Sequence, residues 1–286
     1  MSRILTGAPV ARALREESAA RIEALRRRGV APCLALVRVG ENGGSLSYER
    51  SAMRECGRLG VEARSVVLPA DCDTAALAAA LRALSADAAV HGILLLHPLP
   101  AGIDEAAACA ALAPRKDVDG VTDASLRRVF TGRGEGFCPC TPEAVLALLD
   151  YYGVMLDGTR TALIGRSLIV GKPLSLLLTG RGATVTLCHR RTRALAALCR
   201  ESELLIAAAG SPGLVGADFT RPGQVVIDVG TTPDASGQLR GDVEFDAVSG
   251  TAEALSPVPG GVGAITTAVL LRHVVEAAEN AAEDHD

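Results

Sequence analysis

The chain has 286 residues, of which 49% are hydrophobic and 22% charged, with a net charge of −4 at pH 7. This length exceeds one small core and points to two domains or one large one, while the mild charge excludes a disordered or polybasic chain. Aromatic residues make up 2% with no Trp, which removes the stacking platforms of a single-strand nucleic-acid binder, and no uncharged apolar run is long enough to cross a bilayer.

The opening MSRILTGAPVARALREE has arginines and glutamates where a signal peptide would have an apolar core, so the cytoplasm is the expected compartment. The eight cysteines are scattered among apolar residues, as free thiols in a reducing compartment are. Cys138 and Cys140 have a C-x-C spacing, but no second pair or nearby histidine completes a metal site, and no metal is expected.

Residues 8–28 place Ala, Leu and Ile at helical spacing with charges between them, and Gly29 is a stop signal. A strand is expected at Cys33–Val39, then the turn-rich GENGGS, a helix at Ser47–Leu59, a strand at Arg64–Leu68, a helix at Thr74–Leu84 and a fully apolar strand at Gly92–Leu96. Successive βα units argue for a parallel sheet covered on both faces. After HPLP come an Ala-rich helix at Glu105–Leu112 and the turn PRKDVDG, Pro114–Gly120. Asp123–Pro142 reads as the least regular stretch, and a domain boundary is expected near Thr141.

A helix at Pro142–Tyr151 opens the second half, where the alternation resumes: strand 161–164, a glycine turn, helix 170–179, strand Thr184–Cys188, helix 192–200, strand Leu204–Ala208 and strand Gln224–Val229. This is a Rossmann-like order. The last apolar helix, Thr266–Ala278, has the character to pack back onto the first domain, and the tail EDHD is expected to fray. The expected fold is α/β with two domains: residues 1–141 with a returning C-terminal helix at 265–286, and residues 142–264.

GRSLIVGKP, Gly165–Pro173, carries the strongest chemical signal, because a strand, a glycine turn and a helix start make a dinucleotide cradle. Glycines admit the backbone to a pyrophosphate, and free N–H groups at the helix start face its charge. Ser167 stands where the usual second glycine belongs, and Gly171 comes one residue late. The next strand ends in His189-Arg190-Arg191 rather than Asp or Glu. A carboxylate there would repel a 2′-phosphate, whereas Arg190 or Arg191 with Arg166 grips it, so NADP is favoured over NAD; the plainer reading is a solvated basic strand end.

Asp117 and Asp119 follow the first sheet, where open α/β sheets bind ligands, although on spacing alone a loop carboxylate more often caps a turn. PVPGGVG, Pro257–Gly263, is a rigid connector or a place where paired glycines let backbone approach a ligand. Tyr48 would need a neighbouring cation to act as acid or base, and the only lysines, Lys116 and Lys172, sit in other motifs. A ring packed on a ligand or core, its hydroxyl satisfied, is the plainer reading.

Taken together, S-x-x-Y (Ser45–Tyr48), GILL-x-x-PLP, PRKDVDG, PCTP, GRS-x-IVGKP, VTLCHRRT, VIDVG, GDV and PVPGGVG resemble the methylenetetrahydrofolate dehydrogenase/methenyltetrahydrofolate cyclohydrolase family over nearly the whole chain. The resemblance implies two α/β domains with folate in the cleft between them, a homodimer formed through the nucleotide domains, and hydride transfer from methylenetetrahydrofolate to NADP. It assigns Asp119 to the pterin ring and Tyr48 to the folate pocket beside Leu96, these two being the catalytic candidates. Pro259, Gly260 and Gly261 would lie by folate and nicotinamide. Gly165, Arg166, Ser167, Val170, Gly171, His189, Arg190, Arg191 and Thr231 would hold the cofactor.

The chain also departs from the family. The family's lysine, four residues after its tyrosine, is Ala52 here, and the glutamine that partners it is Leu96. Arg190 replaces a usual serine, Thr231-Thr232 an Ile-Asn pair, and Ala264-Ile265 a Pro-Met pair. Losing amine and amide together leaves no buried orphan, so the expected protein is a dehydrogenase with weak or absent cyclohydrolase activity. The alternatives are a non-catalytic folate- or nucleotide-binding paralogue, a dehydrogenase for a non-folate substrate, and a bifunctional enzyme using His97 as replacement base.

Overall fold

The computed structural model describes residues 2–284. It divides into two compact units, Met1–Arg12 with Thr141–Thr266 and Ala13–Cys140 with Thr267–Asp286, here called the second-half and first-half units. Of the tail expected to fray, His285 and Asp286 lie outside the described residues, and α-helix reaches Glu283.

The chain opens with β1 (Arg3–Ile4), whose residues pair in parallel with Ala254 and Leu255. The first twelve residues thus belong to the second-half unit, not to the first domain as the sequence suggested. Two residues of backbone pairing leave no periodicity to read. Helix α1 (Gly7–Arg27) follows.

In the first-half unit β2 (Cys33–Val39), α2 (Gly43–Leu59), β3 (Glu62–Leu68), α3 (Thr74–Ala86) and β4 (Gly92–Leu95) build a parallel sheet in the order β3-β2-β4. Central β2 sends Cys33, Ala35, Val37 and Val39 into a core with Leu77 and Leu81 of α3 and Ile93 and Leu95 of β4. At the edge, β3 is not covered on both faces: only Leu68 is buried, and Val67 is half exposed. Helix α2 starts before the expected Ser47, because Asn42 Oδ1 accepts the N–H groups of Gly44 and Ser45 at 2.9 and 3.3 Å and turns the glycine loop into a capped helix start. Helix α4 (Glu105–Cys109) is shorter than expected. The stretch read as irregular contains α5 (Asp123–Thr131), opened by Thr122 Oγ1 on the Ser125 N–H and closed by left-handed Gly132.

Helix α6 (Cys140–Tyr151) leads into β5 (Arg160–Ile164), α7 (Gly171–Gly180), β6 (Thr184–Cys188), α8 (Leu195–Glu201), β7 (Leu204–Ala207) and β8 (Val225–Asp228). A small antiparallel pair, β9 (Thr232–Pro233) and β10 (Leu239–Arg240), precedes α9 (Phe245–Ser249) and β11 (Ala254–Leu255). Neither short pair nor α9 was anticipated. The parallel sheet runs β1-β11-β8-β7-β5-β6, so successive strands leave β5 to opposite sides and open a crevice at its carboxyl end. Helix α8 begins later than expected, after Ala194 at a φ of 50°.

The last helix, α10 (Thr266–Glu283), groups with the first-half unit and buries Val269, Leu270, Leu271, Val274 and Val275. Gly92 of β4 is needed there, since a Cβ would collide with Val118 and Val274. All eight cysteines are free. Among the described residues no helix is long and apolar enough to cross a membrane.

Candidate active site

In the first-half unit the site begins where β4 ends. The Leu96 N–H donates to Val37 O at 2.8 Å, extending the ladder by one residue, and Leu96 is 4% exposed. On α2, Ala52 follows Tyr48 by one helical turn and is 1% exposed. The helix is pinned by buried Glu49, which accepts from Arg38 Nε at 2.7 Å and from the Ser65 hydroxyl. Both positions that would hold the amine and the amide are therefore sealed and apolar.

Of the two loop aspartates, Asp117 follows the plainer reading of a turn cap. Asp117 is fully buried and caps a turn, accepting N–H groups from Val121 and Thr122 at 3.1 and 2.8 Å and the Ser125 hydroxyl at 2.6 Å. Asp119 is spent on no such turn. Burial pushes its carboxyl up to about 6, against a hydrogen bond from the Cys140 thiol, with the Asp117 charge adding to the rise. The Val118–Asp119 turn is locked from two helices. His273 Nδ1 of α10 donates to Val118 O at 2.8 Å, and Cys140 Sγ of α6 lies 3.3 Å from the same carbonyl, its one hydrogen shared between that oxygen and the Asp119 carboxylate. The His273 ring also stacks on Phe137, with centroids 4.9 Å apart.

Tyr48 is 38% exposed as a residue, but its hydroxyl lies inward, hydrogen-bonded to Thr267 and near Asp119 and Cys140. Burial, then the Asp119 charge, raises the phenol well above its ordinary value, so Tyr48 keeps its proton. Cys140, Thr267 and His273 were missed by sequence reasoning. PCTP was visible as a motif, but no spacing ties residues 140, 267 and 273 to 48 or 119. His97 lies past the end of β4, so strand alternation does not set its direction. Its carbonyl accepts from Ser45 Oγ at 2.9 Å, and its Nε2 meets Glu105 Oε1 at 3.0 Å.

In the second-half unit the glycine turn follows β5. Gly165 has a φ of 128°, a Cβ there would strike Ala208 O, and one on Gly171 would strike Gly165 O, so both glycines serve the turn's own close packing. The expectation of free N–H groups at the helix start needs correction. Ser167 Oγ accepts from the N–H groups of Val170 and Gly171 at 3.2 and 3.3 Å, and Ser167 O accepts from Lys172 N–H at 3.0 Å. In this turn the backbone N–H groups without a partner among the described residues are those of Arg166–Ile169, one step earlier in the loop. At the end of β6, the His189 N–H donates to Thr192 Oγ1 at 2.9 Å, and His189 Nδ1 accepts from Arg191 N–H at 3.1 Å, which fixes the turn that carries Arg190 and Arg191. Both arginines are exposed, and with Arg166 and the unforeseen Arg193 they have no ion pair among the described residues.

PVPGGVG behaves differently at its two glycines. Gly261 is crowded by its own chain: a Cβ would strike Pro257 O, and its carbonyl is closely approached by Gly7. Gly260, at a φ of 100°, has nothing near its Cβ position, while its carbonyl accepts from Gly7 N–H at 2.7 Å. Only Gly260 and exposed Pro259 therefore leave room for a ligand. Thr231 is exposed at the mouth of the β9 turn.

An exposed loop of free N–H donors, flanked by unpaired guanidinium groups with no carboxylate at the end of β6, fits a dinucleotide carrying a 2′-phosphate. Residues 5–119 match the tetrahydrofolate dehydrogenase/cyclohydrolase catalytic domain, and residues 139–282 match the NAD(P)-binding domain of that family. The bifunctional protein FolD of Carboxydothermus hydrogenoformans is 43% identical over 98% of each chain. Among solved structures, the bifunctional FolD of Campylobacter jejuni superimposes with a TM-score of 0.95 at 36% identity, covering 98% of this chain and 99% of that one. The Trypanosoma brucei enzyme, solved with NADP cofactor and an inhibitor, does so at 0.92 and 34% identity over 98% of each chain. The chain belongs to the tetrahydrofolate dehydrogenase/cyclohydrolase family.

Proposed function

We propose that the protein is an NADP-dependent methylenetetrahydrofolate dehydrogenase whose cyclohydrolase activity is weak or absent. The observation that carries the second half is the paired sealing of Ala52 and Leu96, each almost without exposure. The first-half unit holds the folate and the second-half unit the NADP, which supplies the hydride acceptor.

Above its pKa, Asp119 accepts hydrogen bonds from pterin N–H groups and sets the ring's orientation. Tyr48 donates a hydrogen bond through its phenol O–H and transfers no proton. Arg166, Arg190 and Arg191 hold the 2′-phosphate, with the Arg166–Ile169 N–H groups on the remaining phosphates. Hydride transfer needs chiefly this positioning, which unintended loss of an acid–base group does not touch. Hydrolysis is different, because a proton must leave water and reach the departing nitrogen. Tyr48 is too weak an acid, and Asp119, although of suitable basicity, is engaged by the pterin. His97 turns to Glu105.

Purified protein should reduce NADP with methylenetetrahydrofolate, and should hydrolyse methenyltetrahydrofolate no faster than buffer does. Hydrolysis at a rate comparable to the hydride step overturns the loss of cyclohydrolase activity, and failure to reduce NADP overturns the dehydrogenase. The double variant Ala52→Lys with Leu96→Gln should gain hydrolysis that neither single variant shows.

A cytoplasmic homodimer is part of the same proposal. The free cysteines support the compartment. Edge strand β6, with Thr184, Thr186 and Leu187 exposed, supports pairing through the second-half units.

A further inference from the structure

The first-half unit has a second cavity, of about 510 Å³, at the end of its sheet opposite Leu96. His91, which immediately precedes β4, lines it, whereas Leu96 follows that strand. Its volume is within the range of small-molecule sites. The site proposed above for folate does not use it.

Two polar side chains on its wall are more than nine-tenths buried, His91 and Lys116, each 8% exposed. His91 Nδ1 accepts the Cys33 N–H at 3.2 Å, so in the neutral ring the hydrogen sits on Nε2, which has no partner among the described residues. Burial and the nearby Lys116 charge hold that ring neutral by lowering its pKa. Lys116 Nζ donates to Leu84 O and Asp87 O at 3.3 and 2.6 Å, where it closes the end of α3, and retains a third N–H. Arg128 gives one N–H to Gly136 O and keeps the rest. Arg115 is exposed, with no hydrogen bond or ion pair among the described residues.

The lining therefore offers several unspent donors, and its charge limits what they can take. Arg115, Lys116 and Arg128 stand against the carboxylates of Glu135 and Asp284, and no ion pair joins the two sets. Among the described lining residues the excess of a single positive charge suits a monoanion and disfavours a nucleotide or other polyanion. Phe137 and Ala277 supply apolar wall.

We propose that this cavity binds a small apolar monocarboxylate. Its carboxylate is gripped by Arg115 and Arg128, the His91 Nε2–H donates from the buried wall, and its hydrocarbon body lies against Phe137 and Ala277. The inference does not rest on the activity proposed above, since binding alone tests it.

Benzoate is the probe, titrated calorimetrically into the whole protein saturated with NADP, with benzamide as its uncharged isostere. Saturable binding with a Kd of about 1 mM or tighter is expected. Benzamide and the Arg115→Ala variant should each bind about 10-fold more weakly or worse, as for one lost charge-assisted hydrogen bond. Arg115 is exposed, so the variant folds, and an unchanged melting curve checks this. In the unmutated protein, benzoate should also shift the His91 ring resonances. No saturable binding, equal binding of benzamide, indifference to Arg115→Ala, or unmoved His91 resonances would each overturn the proposal.

Discussion

Asp119 is asked to be buried and to be charged, and these demands pull its carboxyl in opposite directions. Its pKa near 6 places the compromise just below neutrality. A pterin needs the ionised form, so the KM for methylenetetrahydrofolate should fall as pH rises through about 6 and lose that dependence in Asp119→Asn; steady-state kinetics from pH 5 to 7.5 checks it. Stability runs the other way. The folded value lies above the ordinary 3.8, so the folded chain holds the proton more tightly, and the stability this gives below the unfolded value is lost as pH rises through about 6. Asp119→Asn should accordingly raise Tm more at pH 7.5 than at pH 4.5. Ala52 and Leu96 were legible in the sequence because neighbouring motifs fix their register. Cys140 and His273 were not, since only tertiary packing brings an α6 thiol and an α10 imidazole to the carbonyl before Asp119.

At the scale of elements, the strand, turn and helix around Gly165 could be read from residue types, because close packing there tolerates only glycine. Which N–H groups remain free could not be. Ser167, which breaks the glycine fingerprint, caps α7 from inside the turn and moves the open donors to Arg166–Ile169. Similar local bonds explain the other differences. Asn42 and Thr122 convert loop-like stretches into the starts of α2 and α5, and their side-chain oxygens mark a cap only once the backbone is placed. The basic end of β6 makes a claim of its own. Because Arg190 and Arg191 have no carboxylate partner, replacing both by Ala should raise the KM for NADP about 10- to 100-fold while leaving that for NAD within about twofold. Equal losses for both nucleotides would place the arginines away from the 2′-phosphate.

For the whole molecule, neither unit is a continuous stretch of chain. The returning helix was legible as an apolar segment, whereas β1 was too short to read. Leu271 of α10 is fully buried, so Leu271→Ala should cost about 2–5 kcal/mol, seen as a lower urea midpoint for loss of structure. An effect below about 1 kcal/mol would show that α10 adds little to its core.

The late position of α10 also bears on synthesis. A ribosome delivers β2, β3 and β4 long before the helix whose Val274 packs over Gly92. Throughout that interval the nascent sheet presents an uncovered apolar face. Chaperone occupancy of the growing chain should therefore persist until the final helix has cleared the exit tunnel, and transcripts broken upstream of its codons yield polypeptides fit for degradation rather than partial enzymes.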